Sequence, residues 1–336
     1  MRGVRRIKRW LRGFRPSAII LCYHRVTKLD ADPQLLSVTP KKFSEQLEVL
    51  QQLYHVARLQ DWTSEQGKPG PRTVIITFDD GYADNFHEAL PLLQDADCPA
   101  TVFVTAGKMG DEREFWWDEL ERVILAPEKL PEELFLAIGP HNYKWNTGPN
   151  WSDNRSCEGW HVLLKQEPTP RRAAYIDLCR LLRRVDDVER SHILDELCTW
   201  ADLERSRRSS RRSLTISELC SLAANELIEI GAHTVTHPSL ASLSVSVQQF
   251  EVEKSKAMLE SFIGQPVRSF SYPFGGVDDY NADTIRLVRN AGFHCACANY
   301  PGLANPAKDL YQLPRFVVRD WDGDHFAKTL ESWVAG

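Results

Sequence analysis

From Ser17 onward, short apolar runs alternate with segments whose apolar positions recur at helical spacing. The runs Ser17–Tyr23 and Thr73–Phe78 are continuously apolar or β-branched, the pattern of strands covered on both faces. Further strands are expected at Ala100–Thr105, Leu227–Ile230, Arg268–Tyr272, Phe293–Ala298 and Leu313–Val318. Thr39 and Pro40 open a helix as N-cap and first-turn proline, with Phe43, Leu47 and Leu50 on its inner face. Ser246 and Gln249 read as a capping-box pair that starts another helix, and Gly264 is placed to end it. Strands and helices alternating in this number predict an α/β fold, a distorted (β/α) barrel of about seven strands.

Residues 110–214 break the rhythm. They carry Trp116, Trp117, Trp145, Trp151 and Trp160, a Gly/Pro/Asn-rich patch over 139–154, and helical, Arg-rich sequence through Arg212. A mainly helical insertion that caps one face of the barrel is expected. The domain reading is a basic amphipathic segment at 1–15, a barrel of 16–109 and 215–336, and the insertion between them. Its tryptophans are expected mostly to form a small core of their own, with stacking on sugar rings as the alternative.

Composition narrows the class. At 336 residues, 43% hydrophobic and 26% charged, the chain has the make-up of a soluble globular protein. A core of this size needs no disulfide or structural metal to hold it, so any metal ligands need another explanation. No apolar run approaches the roughly 20 residues that cross a bilayer. The eight cysteines are scattered, form no CxxC pair and follow no secretory leader, so a reducing, cytoplasmic setting is expected. His294-Cys295-Ala296-Cys297 lacks a second ligand pair and reads as buried strand cysteines.

The formal net charge is −5, yet residues 1–15 hold seven basic residues and no acidic one. Val4, Ile7, Leu11 and Phe14 form one apolar stripe there, beside Trp10. Such a helix suits peripheral contact with an anionic membrane at its inner face. A frayed tail or a helix packed on its own domain fits the pattern as well. Nucleic acid is not an expected partner, because the rest of the chain is acidic and repels phosphate.

Two constellations carry chemistry. Thr77-Phe78-Asp79-Asp80-Gly81 sets adjacent carboxylates at the end of an apolar strand, where ligands bind in α/β folds. Gly231-Ala232-His233-Thr234-Val235-Thr236-His237-Pro238 sets two imidazoles four apart after a second strand. One Asp and both His make a three-ligand set that leaves a divalent ion open to water. The spare carboxylate is what a hydrolase needs as a base.

These two segments, with Ser271-Tyr272-Pro273-Phe274-Gly275, resemble the first three motifs of the polysaccharide deacetylases, the NodB-homology group of carbohydrate esterase family four. The resemblance covers about residues 17–109 and 215–335. It implies a distorted β/α barrel that removes acetyl groups from N-acetylated sugars with a divalent metal. Zinc is the expected ion, with nickel, cobalt or manganese as alternatives. Under it Asp79 corresponds to the general base, and Asp80, His233 and His237 to the metal ligands. The backbone around Tyr272, Pro273 and Phe274 lines the groove and holds the oxyanion.

Two departures stand out. Ser271 occupies the place of an arginine that steadies the base, and Arg315, on a late strand, is the candidate substitute. The Leu-x-His motif that supplies the acid is absent from the tail. Ile19-Ile20-Leu21-Cys22-Tyr23-His24 resembles the permuted arrangement of poly-N-acetylglucosamine deacetylases, which makes His24 the expected proton donor. Expected substrates are an N-acetylated sugar, an oligosaccharide or a lipid-linked glycan precursor. An O-acetyl esterase and a non-catalytic glycan-binding or membrane-peripheral scaffold are the competing readings.

Overall fold

The computed structural model describes residues 17–64, 72–148, 159–165 and 168–335. The basic stripe of 1–15 and Trp151 lie outside them. Among the described residues the chain divides into two compact units, one of 17–28, 36–107 and 214–335, the other of 29–35 and 108–213.

The first unit is a curled parallel sheet wrapped by helices. Its seven main strands are β1 (Ala18–Tyr23), β2 (Thr73–Phe78), β3 (Ala100–Val104), β4 (Ile228–Ala232), β5 (Ser269–Ser271), β6 (Cys295–Cys297) and β7 (Phe316–Val317). They lie in the order β6-β5-β4-β3-β2-β1-β7, every pairing is parallel, and the short strand His55–Val56 adds to β2. Leu313, shortly before β7, bridges back to Cys297 of β6, so the curl comes close to a closed barrel. Each of the seven expected strands is present, several shorter than their apolar runs. Besides the short helix Leu59–Thr63, the helices are α1 (Pro40–Leu53), α2 (Leu90–Asp95), α3 (Ile216–Ala223), α4 (Val245–Ile263), α5 (Ala282–Asn290) and α6 (Gly323–Ala335).

Alternation along the strands sorts residues between two faces. The outer face of β1 and β2 packs on α1, where Tyr23, Phe43 and Phe78 form an aromatic cluster. The inner face carries Ile20 and Cys22 on β1, Ile75 and Thr77 on β2, Phe103 on β3 and Gly231 on β4. Ile20, Ile75, Phe103, Cys295, Cys297 and Leu313 belong to one buried cluster. Gly231 is required by this packing, because a Cβ there would sit 2.3 Å from the Phe103 ring. Cys295 and Cys297 are core residues of β6, as their spacing predicts.

Thr39 is the N-cap of α1 with Pro40 in its first turn, as the sequence predicts, and its hydroxyl bonds Asp320. The expected Ser246–Gln249 capping box does not form. Ser244 is the N-cap of α4, and Gln249 bonds Glu253 on the helix surface. Gly264 does end that helix, in the left-handed conformation.

The second unit holds helices Pro170–Leu182 and Asp187–Trp200 and a hairpin of Glu133–Ile138 with His141–Asn146. The hairpin sits partly where an irregular patch is expected. Its signal is masked because Phe135 is apolar yet exposed, which blurs the alternation of buried Leu134, Leu136 and Ile138. Trp116, Trp117 and Trp160 are buried here. The Arg-rich stretch is consumed by ion pairs: Arg208 holds Glu114 and Glu121, and Arg211 holds Asp118. These carboxylates are buried and need such partners to stay charged.

Candidate active site

The inward columns of the sheet end in polar side chains at the C-terminal edge of the strands. The register pairs Tyr23 with Phe78, so the next residues, His24 and Asp79, stand level with each other. Asp79 N–H donates to the Tyr23 carbonyl at 3.0 Å, which ties the two strand ends together. The chain then turns sharply: Asp80 and Gly81 have φ of 74° and 84°. A left-handed φ is costly for Asp and free for Gly, so the turn is a strained point that presents both carboxylates.

Asp80, His233 and His237 bring their ligand atoms within 4.8 Å of one another, all buried. Asp80 Oδ1 lies 3.6 Å from His233 Nε2 and 3.3 Å from His237 Nε2. His233 Nδ1 lies 2.7 Å from the Ser271 carbonyl and must donate to it, which leaves the Nε2 lone pair facing Asp80 and His237. Burial pushes the His233 pKa down to about 4, against the pull of Asp79, so the ring is neutral at physiological pH. One carboxylate and two imidazole nitrogens, with the tautomer of one imidazole fixed, are the donors that zinc and similar divalent ions prefer. The residues present therefore fit the ion that the sequence implies.

The loop that carries both histidines is bent, with Thr234 and His237 at φ of 65° and 59°. Glu251 of α4 holds it in that shape. Its buried carboxylate accepts from Val235 N–H at 2.8 Å, Thr236 N–H at 3.0 Å and the Thr236 hydroxyl at 2.7 Å. Nothing in the pattern of α4 marks Glu251 out, because a charged residue on a helix is ordinarily solvated. Replacing Glu251 by Ala is expected to weaken the retention of a divalent ion at these three residues roughly 10–100-fold, the usual cost of losing support behind a metal ligand. Competition with a chromophoric chelator measures it, and unchanged affinity would show that the loop holds itself.

Asp79 is bound separately, by Arg315. The guanidinium grips the carboxylate with two bonds of 2.7 and 2.6 Å, and Cys22 Sγ and Ser271 Oγ approach Oδ2 at 3.7 and 3.3 Å. Arg315 also donates to the Ala298 carbonyl, Thr77 Oγ1 and Ser271 Oγ, so its orientation is fixed within the barrel. Burial alone would raise the Asp79 pKa, but the charge and hydrogen bonds of Arg315 outweigh it and hold the carboxyl below its usual range. Asp79 Oδ2 lies 4.0 Å from His233 Nε2, so this ionised carboxylate borders the donor set. Thr77, Cys22 and Ser271 are the partners that the motifs alone do not reveal. The signal for them is inward parity with Asp79, Arg315 and His233.

His24, Cys22 and Asp79 place a nitrogen, a sulfur and an oxygen within 4.8 Å of one another. Burial lowers the His24 pKa, opposed by Asp80 and Asp79. In the third motif, Tyr272 N–H already donates to the Cys297 carbonyl and its hydroxyl to the Tyr311 carbonyl, while Pro273 has no N–H. Phe274, at φ of 60°, stands edge-on to His237 with 4.8 Å between ring centroids.

Carboxylate, imidazole and guanidinium groups thus converge at the strand ends of a curled parallel sheet, the arrangement that the sequence motifs lead one to expect. The "Polysaccharide deacetylase" family model matches residues 66–153 and 209–296, just over half of the chain. The chain belongs to this family of carbohydrate-deacetylating hydrolases. YxkH of Bacillus subtilis (strain 168), named for the polysaccharide deacetylases, is 21% identical over 333 residues, spanning 96% of this chain and 80% of YxkH. Two solved structures share the fold. The Streptococcus pyogenes deacetylase PplD in complex with acetate has a TM-score of 0.57 at 18% identity, over 94% of this chain and 98% of that one. IcaB from Ammonifex degensii has a TM-score of 0.57 at 16% identity, over 95% and 97%. His24 and Arg315 lie outside the two matched ranges.

Proposed function

We propose that the protein is a metal-dependent N-deacetylase acting on an amino-sugar-containing glycan or glycan precursor. The convergence of Asp80, His233 and His237 beside an arginine-held Asp79 is the observation that carries this reading. Those three residues would hold a divalent cation, which would supply Lewis acidity at the acetyl carbonyl and water, and Asp79 is the base that takes the proton from water. Arg315 keeps Asp79 ionised and aimed. The segment Tyr272–Phe274, whose Phe274 ring packs on His237, lines the groove on the side of the oxyanion.

His24 protonates the departing nitrogen. An alcohol leaves an ester with little help, whereas an amine needs that proton, so a histidine beside Asp79 supports the amide reading over an O-acetyl esterase. The converged donor set speaks against a non-catalytic scaffold. A lipid-linked or other membrane-proximal sugar at the inner face is the substrate that the basic stripe of residues 1–15 supports.

The test is acetate release from N-acetylated and O-acetylated oligosaccharides, sugar nucleotides and lipid-linked sugars, with and without chelator. Release from N-acetylated substrates that stops on chelation and returns with zinc is expected. Release from esters alone would reverse the linkage. His24→Ala is expected to lower amide turnover by about 10²–10⁴-fold. Near wild-type turnover in that variant would remove His24 from the mechanism.

A further inference from the structure

His24 occupies a one-residue gap between β1 and the two-residue strand Arg25–Val26. A buried knot from the segment just after Asp79 and Asp80 flanks it. Arg25, 2% exposed, donates to Asp84 Oδ2 through Nε at 3.0 Å and Nη2 at 2.8 Å, and its guanidinium lies 4.1 Å from the Tyr82 ring centre. The other Asp84 oxygen accepts from Val26 N–H at 3.0 Å. Asn85 Nδ2 donates to the His24 carbonyl itself at 2.9 Å. With the Asp79-to-Tyr23 bond, four consecutive residues from Tyr23 to Val26 are stapled to the turn that bears the two carboxylates.

Asn85 is 2% exposed, and its Oδ1 has no protein partner among the described residues. A buried amide oxygen without a partner is costly, so packing alone is a poor reason to keep an asparagine there. Asn85 also opens a π-helical turn, Asn85–Ala89, a rare geometry found mostly where a side chain must be placed for function. We propose that Asn85, together with the Arg25–Asp84 pair, is a positioning unit that sets His24 against Asp79. The inference rests on the reading of His24 as the proton donor. The same segment then aims both ends of the proton path, the base through its own turn and the acid through three side chains.

The experiment compares Asn85→Ala with wild type on an N-acetylated oligosaccharide and on an activated aryl acetate, whose phenolate leaves without a proton. A roughly tenfold fall in kcat on the amide is expected, with KM, zinc content and aryl acetate turnover unchanged. In a His24→Ala background the second substitution should add nothing. Equal losses on both substrates, or additive losses in the double variant, would overturn the proposal. Asn85→Ser serves as a second variant with the same expectation should the alanine variant fold poorly. The ¹H–¹⁵N correlations of the His24 ring give a readout independent of turnover. Shifted or multiplied signals in the Asn85 variants support positioning, and a single unshifted signal overturns it. Wild-type acetate release on the same substrates tests the deacetylase reading separately.

Discussion

Arg315→Met lowers turnover by about 10²–10⁴-fold and destabilises the fold by roughly 3–5 kcal/mol at neutral pH. Both effects have one cause. Asp79 and Arg315 are buried together, and removing the guanidinium leaves a carboxylate that burial drives toward its neutral form. A protonated Asp79 takes no proton from water. The sign with pH follows from the depressed folded-state pKa. Asp79 binds fewer protons folded than unfolded, so its contribution is complete above the unfolded value of about 3.9 and is lost as pH falls through the folded one. Urea unfolding of wild type and variant should therefore differ most near pH 7 and converge as pH falls below about 4. A constant gap down to low pH would mean that Arg315 stabilises through packing alone. Arg315→Lys keeps the charge but not the two-bond grip, and an intermediate loss of turnover is expected.

On the proposed metal-dependent mechanism, Asp80→Asn or His237→Ala lowers acetate release by about 10³-fold or more, because a lost Lewis acid is worth several kcal/mol of barrier. Metal analysis of the purified variants should show a depleted divalent ion, while Asp79→Asn should retain it and still be inactive. This contrast separates ligand from base, since the two carboxylates are neighbours in sequence yet belong to different partners. Asp80 faces His233 and His237, whereas Asp79 is gripped by Arg315. Depleted zinc in Asp79→Asn with normal zinc in Asp80→Asn would exchange the roles.

The strands were legible in the letters because a strand covered on both faces must be apolar at every position, and β1 and β2 are buried throughout. The motifs were legible because paired carboxylates and spaced imidazoles at strand ends have few structural uses. Arg315 was a weaker inference, drawn from strand placement. What makes it compelling in three dimensions is a register shared by β1, β2 and β7 that no spacing in the chain displays. The missed hairpin and the displaced start of α4 have a local reason. In both, exposed apolar residues such as Phe135, Val245 and Val247 imitate buried ones.

Sequence alone determined the parallel α/β architecture, the order of its strands along the chain and the chemical types gathered at the site. These depend on periodicity and on side-chain chemistry, both of which are local. Only the tertiary structure decided which carboxylate meets the histidines, that the Cys297 carbonyl takes up the Tyr272 N–H, and that Glu251 stands behind the histidine loop and Asn85 behind His24. Those facts are contacts between residues far apart in the chain. They exist only once barrel curvature brings inward-facing columns from separate strands within hydrogen-bond reach.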